Sequence, residues 1–215
     1  LFDSHEQAQY QLQQLQQHFS WVKGNIEKIV EQDWQRATMD SFPPQQFGPN
    51  FWVCPSWSEP PEPEGINVVL DPGLAFGTGT HPTTSLCLSW LAQADLIGKN
   101  VIDYGCGSGI LAVAALKLGA AHVQAIDLDE QALLATRSNA EINHIPEQKL
   151  SIGFPDSLKP ENQLIIANIL LGPLQSLKER FRQLLTHDGT LVVSGLLAEQ
   201  AEMLIAHYQP HFIIQ

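Results

Sequence analysis

Val101-Ile-Asp-Tyr-Gly-Cys-Gly-Ser-Gly-Ile-Leu111 decides the fold. It reads as a buried strand, a glycine turn and the start of a helix. A second strand, His122-Val-Gln-Ala-Ile-Asp127, closes on an acid 22 residues after Gly105. Glycines let a backbone approach a ligand closely. An acid at that distance can accept hydrogen bonds from a ribose. Together they predict a pocket for an adenosine-containing cofactor, and hence an enzyme.

Outward from this unit the chain alternates regularly. Strand 67–70 leads through a loop at 71–82 into a helix at 83–94. Strand 101–103 precedes helix 109–119, and strand 123–127 precedes helix 130–143. Short strand 150–152 and strand 164–168 come next, followed by helix 173–186. Strand 190–194, helix 198–208 and a further strand opening at Phe212-Ile-Ile214 complete the pattern. Strands alternating with helices predict an α/β fold with a doubly wound, mostly parallel, Rossmann-like sheet. Apolar runs such as Leu164-Ile-Ile-Ala167 suit strands covered on both faces.

Before residue 66 the pattern differs. Ala8, Leu12, Leu15 and Phe19 share one stripe of a Gln-rich helix over 5–19. Ile26–Val30 alternates as a strand does, and Trp34 and Met39 fit a short helix. Residues 1–40 therefore read as the remnant of a small α/β domain. Residues 41–65 are rich in proline and read as a connector, with Phe51-Trp-Val53 as a strand inside it. Residues 66–215 form the main domain, its last strands incomplete. The chain opens on Leu1 without a signal-peptide pattern and reads as a fragment.

The chain has 215 residues, 44% hydrophobic and 16% charged, an ordinary soluble composition. No apolar run reaches the roughly 18 residues that a spanning helix needs. A net charge of -12 argues against binding to nucleic-acid backbone and suits solubility or a basic partner. Three cysteines without a CxxC pair argue against a zinc site and fit a reducing cytoplasm. The expected state is a cytoplasmic monomer that touches neither membrane nor nucleic acid.

The glycines Gly105, Gly107 and Gly109 depart from the dinucleotide fingerprint, whose third glycine would stand at position 110, here Ile110. Asp103 at the strand tip would repel a pyrophosphate but could help hold a cationic amino-acid portion. Both features favour S-adenosylmethionine over NAD. Asp127 is assigned to the ribose and Asp129 to capping the helix that starts near Glu130. Cys106 is a conceivable nucleophile, with a small filler under the cofactor as the plainer reading.

Two further stretches carry chemistry. Asp71-Pro-Gly-Leu-Ala-Phe-Gly-Thr-Gly-Thr-His-Pro-Thr-Thr84 is a loop whose ordering is costly unless it holds something. Thr83 or Thr84 can cap the next helix and bond a ligand, and His81 braces the loop or serves as a weak candidate base. No second metal-type side chain stands at ligand spacing, so no metal is expected. Asn168 ends an apolar strand at the edge where α/β sheets bind ligands, and it offers a donor and an acceptor without charge. Its bland alternative is an Asx turn.

Phe76-Gly-Thr-Gly-Thr-His-Pro-Thr-Thr84, Asp103-Tyr-Gly-Cys-Gly-Ser-Gly109, Asp127-Leu-Asp129 and Asn168-Ile-Leu170 jointly resemble one family, the bacterial methyltransferases of large-subunit ribosomal protein eleven. The glycine turn is shared by all class I methyltransferases, and the 76–84 loop is the specific part. The resemblance covers roughly residues 34–215. It implies a class I S-adenosylmethionine-dependent methyltransferase domain behind a small domain that captures the ribosomal protein. It implies cofactor contacts at Thr84, Gly105, Asp127 and Asn168, and methylation of lysine side chains and the α-amine. No catalytic base is implied. The chain has Asn168-Ile-Leu-Leu171 in place of the Asn-Pro-Pro-Tyr tetrad of many amide and base methyltransferases, which agrees with amine chemistry. Methylation of another protein or small molecule, an NAD-dependent oxidoreductase and a non-catalytic adenosine-binding module are the alternatives.

Overall fold

The computed structural model describes residues 5–19, 21–26, 42–70 and 81–214. The chain divides into two compact units, Leu1–Ala37 and Thr38–Gln215. In the first, α1 spans His5–His18. Ala8 and Leu12 on its stripe are half-buried, while Leu15 and Phe19 remain 48% and 47% exposed. Past Ile26, the strand expected at 26–30 lies outside the described residues, as does the helix around Trp34 and Met39.

The second unit holds two sheets. The smaller has order β1-β2-β3, with β1 (Gln45–Gly48) antiparallel to β2 (Phe51–Cys54) and β2 parallel to β3 (Ile66–Val69). β1 was not anticipated. Its four residues show no apolar alternation, and a partner across a two-residue turn defines it.

The larger sheet has five parallel strands in the order β6-β5-β4-β7-β8. They are β4 (Asn100–Tyr104), β5 (His122–Ile126), β6 (Leu150–Gly153), β7 (Asn162–Asn168) and β8 (Leu185–Ser194). The helices are α2 (Pro82–Leu91), α3 (Ile110–Lys117), α4 (Glu130–Ile142), α5 (Leu171–Leu184) and α6 (Ala201–Tyr208). The chain winds outward from β4 to β6, then crosses back to β7. This makes the β4/β7 boundary the switch point, and ligands of such sheets bind beyond its carboxyl ends.

Side chains alternate across each strand, so the sheet feeds two cores. Val101, Val123, Ala125, Leu164 and Ile166 pack with α3, α4, α2 and the small sheet. Ile102, Tyr104, Ile126, Ile165 and Ala167 pack with Leu174, Phe181, Leu184, Leu204 and Tyr208 of α5 and α6. Helix α3 is buried over Ile110–Leu116, as a helix apolar on all sides must be.

One expectation fails at the carboxyl end. No strand forms at Phe212–Ile214. The Phe212 amide donates to the Tyr208 carbonyl at 3.0 Å, and the two rings pack at a tilt with centroids 5.3 Å apart. Phe212 thus finishes α6 instead of opening a strand. The helix expected over 198–208 forms, its first turn 3-10 at Ala198–Gln200 and the rest α6.

Candidate functional site

The glycine turn hangs from the end of β5. The Gly105 and Cys106 amides both donate to the Ile126 carbonyl, at 2.8 and 2.9 Å. The Gly107 amide donates to Asp127 Oδ2 at 3.0 Å. Gly105 has to be glycine, since a Cβ there would stand 2.4 Å from Ile169 Cγ2. Cys106 is buried, and burial pushes its thiol far above the usual range. A buried thiol with so little thiolate is filler and not a nucleophile.

The two aspartates have separate duties. Alternation turns Asp103 toward α3, where it is 1% exposed and its Oδ2 accepts from the Ala112 amide at 3.0 Å. The N-cap of α3, Gly109, has no side chain to satisfy the first-turn amides, so Asp103 does that work from the strand. Burial raises its carboxyl to about 7, the Ala112 bond opposing and nearby Asp127 adding to the rise. Asp127 Oδ1 accepts from the Asp129 amide at 3.0 Å, so both its oxygens are oriented by backbone. Asp129 caps α4 as expected, accepting from the Gln131 amide at 2.9 Å.

The loop at 71–80 lies outside the described residues, but its exit is fixed. His81, not Thr83 or Thr84, is the N-cap of α2, with Pro82 in the first turn. The His81 Nδ1 pairs with the Thr83 hydroxyl at 2.7 Å and accepts from the Thr83 amide at 3.4 Å. Thr84 is thereby free for another task. It is 3% exposed, and its hydroxyl oxygen accepts from Asn168 Nδ2 at 3.0 Å. Asn168 stands one residue past Ala167, which pairs with Tyr104, so it is level with Gly105. Thr84, Gly105 and Asn168 meet at the switch point, and Asp127 reaches the same turn from β5.

Sequence reasoning missed Ser194, the β8 partner of Asn168. Its hydroxyl donates to the Thr83 carbonyl at 3.1 Å, so two adjacent strand ends clasp consecutive residues of α2. Ser194 also bonds the buried Cys87 thiol, which burial lifts to about 11 against that bond. Gly195 follows with φ +86, and a Cβ there would meet the Ile169 carbonyl oxygen at 2.4 Å. A polar residue and a glycine ending a strand are common, so only the pairing with Asn168 marks them out.

Two buried oxygens at this edge, Asp103 Oδ1 and Asn168 Oδ1, have no hydrogen-bond partner among the described residues. Buried polar atoms normally find a partner. An ammonium group supplies the N–H donors that two oxygens require, whereas a pyrophosphate is all acceptor and negatively charged. Unpartnered oxygens here thus fit a cofactor carrying an amino-acid portion better than a dinucleotide. Among the described residues no three His, Cys, Asp or Glu side chains converge as metal ligands would.

The comparisons with known proteins bear on the family and the fold. Residues 1–215 match the family described as Ribosomal protein L11 methyltransferase (PrmA). The chain is 58% identical over 212 residues to the ribosomal protein L11 methyltransferase of Legionella pneumophila strain Philadelphia 1, covering 99% of this chain and 73% of that one. It is 54% identical over 190 residues to the corresponding protein of Mannheimia succiniciproducens, covering 87% of this chain and 64% of that one. Among solved structures, the ribosomal protein L11 methylase of Lactobacillus delbrueckii subsp. bulgaricus superposes with a TM-score of 0.69 at 31% identity, over 78% of this chain and 89% of that one. SMU.776, described as a methyltransferase and solved with SAH, shares the fold at 18% identity, with a TM-score of 0.51 over 66% of this chain and 43% of that one.

Proposed function

The chain belongs to the ribosomal protein L11 methyltransferase family, and from that premise we propose that it transfers methyl groups from S-adenosylmethionine to amino groups of ribosomal protein L11. Lysine side chains and the α-amine are the acceptors. The observation that carries the reading is the buried acceptor Asn168 Oδ1, which has no hydrogen-bond partner among the described residues and stands level with the glycine turn.

We assign the cofactor contacts to Thr84, Gly105, Asp127 and Asn168. Gly105 admits close approach because it lacks a Cβ. Asp127, held by the Gly107 and Asp129 amides, presents its carboxylate to the ribose hydroxyls. Thr84 occupies the amide side of Asn168, which leaves the carbonyl side to accept from an N–H donor. Bound S-adenosylmethionine supplies an activated methyl group on a sulfonium.

The chain must then present a neutral amine in line with that methyl. A lysine amine titrates near 10.4 and an α-amine near about 8 in water, so each must lose a proton first. Removal from water beside a cation lowers that value, and alignment supplies much of the rate. His81 is exposed and engaged with Thr83, and proton release to water is the simplest route. Residues 1–40 are read as the remnant of the domain that captures the substrate, 41–65 as a connector and 66–215 as the methyltransferase domain. We propose that it works in the cytoplasm, as a monomer without direct nucleic-acid contact.

The test is transfer of labelled methyl from S-adenosylmethionine to purified L11. Label should enter L11 at amines, and Asn168→Ala should slow it about a hundredfold. Label appearing in another protein or in nucleic acid but not in L11 overturns the substrate. Unchanged turnover removes Asn168 from the site.

A further inference from the structure

Helix α4 buries three polar side chains on one face: Thr136, Asn139 and Asn143 at its C-cap. Their spacing of three and four residues places them in one row. A buried polar side chain costs stability unless its bonds are made. All three bond outward. The Thr136 hydroxyl donates to the Gly107 carbonyl at 3.1 Å. Asn139 Nδ2 donates to the Ser108 carbonyl at 2.8 Å. Asn143 treats β3 as a neighbouring strand would, accepting from the Val69 amide at 2.8 Å and donating to the Val69 carbonyl at 2.6 Å. Asn143 also donates to the Asn139 carbonyl at 2.8 Å, which makes the row continuous.

We infer that this row positions the glycine turn for cofactor binding: Thr136 and Asn139 fix the Gly107 and Ser108 peptide planes, and Asn143 anchors them to β3. The inference rests on the cofactor reading above. A turn flanked by glycines has little steric resistance to a peptide flip. A flip at 107 or 108 would remove a carbonyl from α4 and swing it across the turn. The Gly107 carbonyl shares its peptide plane with the Ser108 amide, so both would turn together and reshape the turn. None of the three side chains needs to touch the cofactor. They act through the turn, where a displacement of about 1 Å is enough to matter. A helix needing only to pack here would carry apolar side chains of the same size.

The substitutions follow from shape. Thr136→Val keeps the volume and removes the hydroxyl, Thr136→Ser returns it, and Asn139→Leu removes the amide. Calorimetric titration with S-adenosylhomocysteine, at a temperature where thermal unfolding shows each variant folded, reads the effect. Thr136→Val and Asn139→Leu should bind about tenfold more weakly, the scale of one lost hydrogen bond. Thr136→Ser should bind like the wild type. Should either isosteric variant fail to fold, the other carries the test, with Thr136→Ala as a third. Equal binding by wild type and folded variants overturns this inference alone. No binding by the wild type overturns the cofactor reading and this inference with it.

Discussion

Asp103 and Asp127 end neighbouring strands, yet the fold uses them oppositely. Asp103 is sealed beneath the turn and satisfies a helix amide, while Asp127 is held by two amides at the turn's edge. The sealed carboxyl has a consequence for stability. Unfolded, it titrates near its ordinary 3.8; folded, burial raises it to about 7. Between those values the native state holds a proton that the unfolded state has lost. The stabilisation from Asp103 is therefore complete below the lower value and declines as pH rises toward about 7. Asp103→Asn has no such proton. Thermal unfolding of both proteins across that interval should show the wild type losing several degrees more than the variant as pH rises. Parallel curves would contradict the burial argument.

At the scale of elements, Ile169 is the piece on which the site turns. It packs its side chain over Gly105 and its carbonyl against Gly195, and it follows Asn168 directly. Gly195→Ala would set a Cβ 2.4 Å from that carbonyl oxygen and keep φ at +86, so Ile169 must move and carry Asn168 with it. The expected loss is about 3 kcal/mol in urea unfolding, with methyl transfer falling further than stability explains. Gly98→Ala is the control, having φ +72 but nothing within 4 Å, and should cost about 1 kcal/mol. Equal losses would remove Ile169 from the argument. Elements of this kind divide by legibility. The strand–turn–helix of β4 and α3 is written locally, in an apolar run, three glycines and another apolar run. The cap at Asp129 is also local. The α4 row is not, because its partners lie 29, 31 and 74 residues away. Ser194 escapes notice for the same reason, its partner Thr83 being 111 residues distant. The missing strand at 212–214 shows the reverse error: an apolar triplet looks like a strand until helix α6 claims its first amide.

At the scale of the molecule, strand order brings the pieces together. Placing β4 beside β7 at the switch point sets Gly105 level with Asn168. Pairing β7 with β8 adds Ser194, and α2 closes the edge through Thr83 and Thr84. All of these residues lie in the Thr38–Gln215 unit, so cofactor binding should be a property of that unit. The net charge of -12 would steer a basic partner toward the chain and repel nucleic-acid backbone. The most direct test is calorimetric titration of the 215-residue chain with S-adenosylmethionine and, separately, with NAD. The account predicts one site for S-adenosylmethionine, none for NAD, and binding weakened about a hundredfold or more by Asp127→Ala, which removes a charged acceptor and the brace on Gly107. Binding of NAD in its place, or an Asp127→Ala variant that binds S-adenosylmethionine as tightly as the wild type, would contradict it.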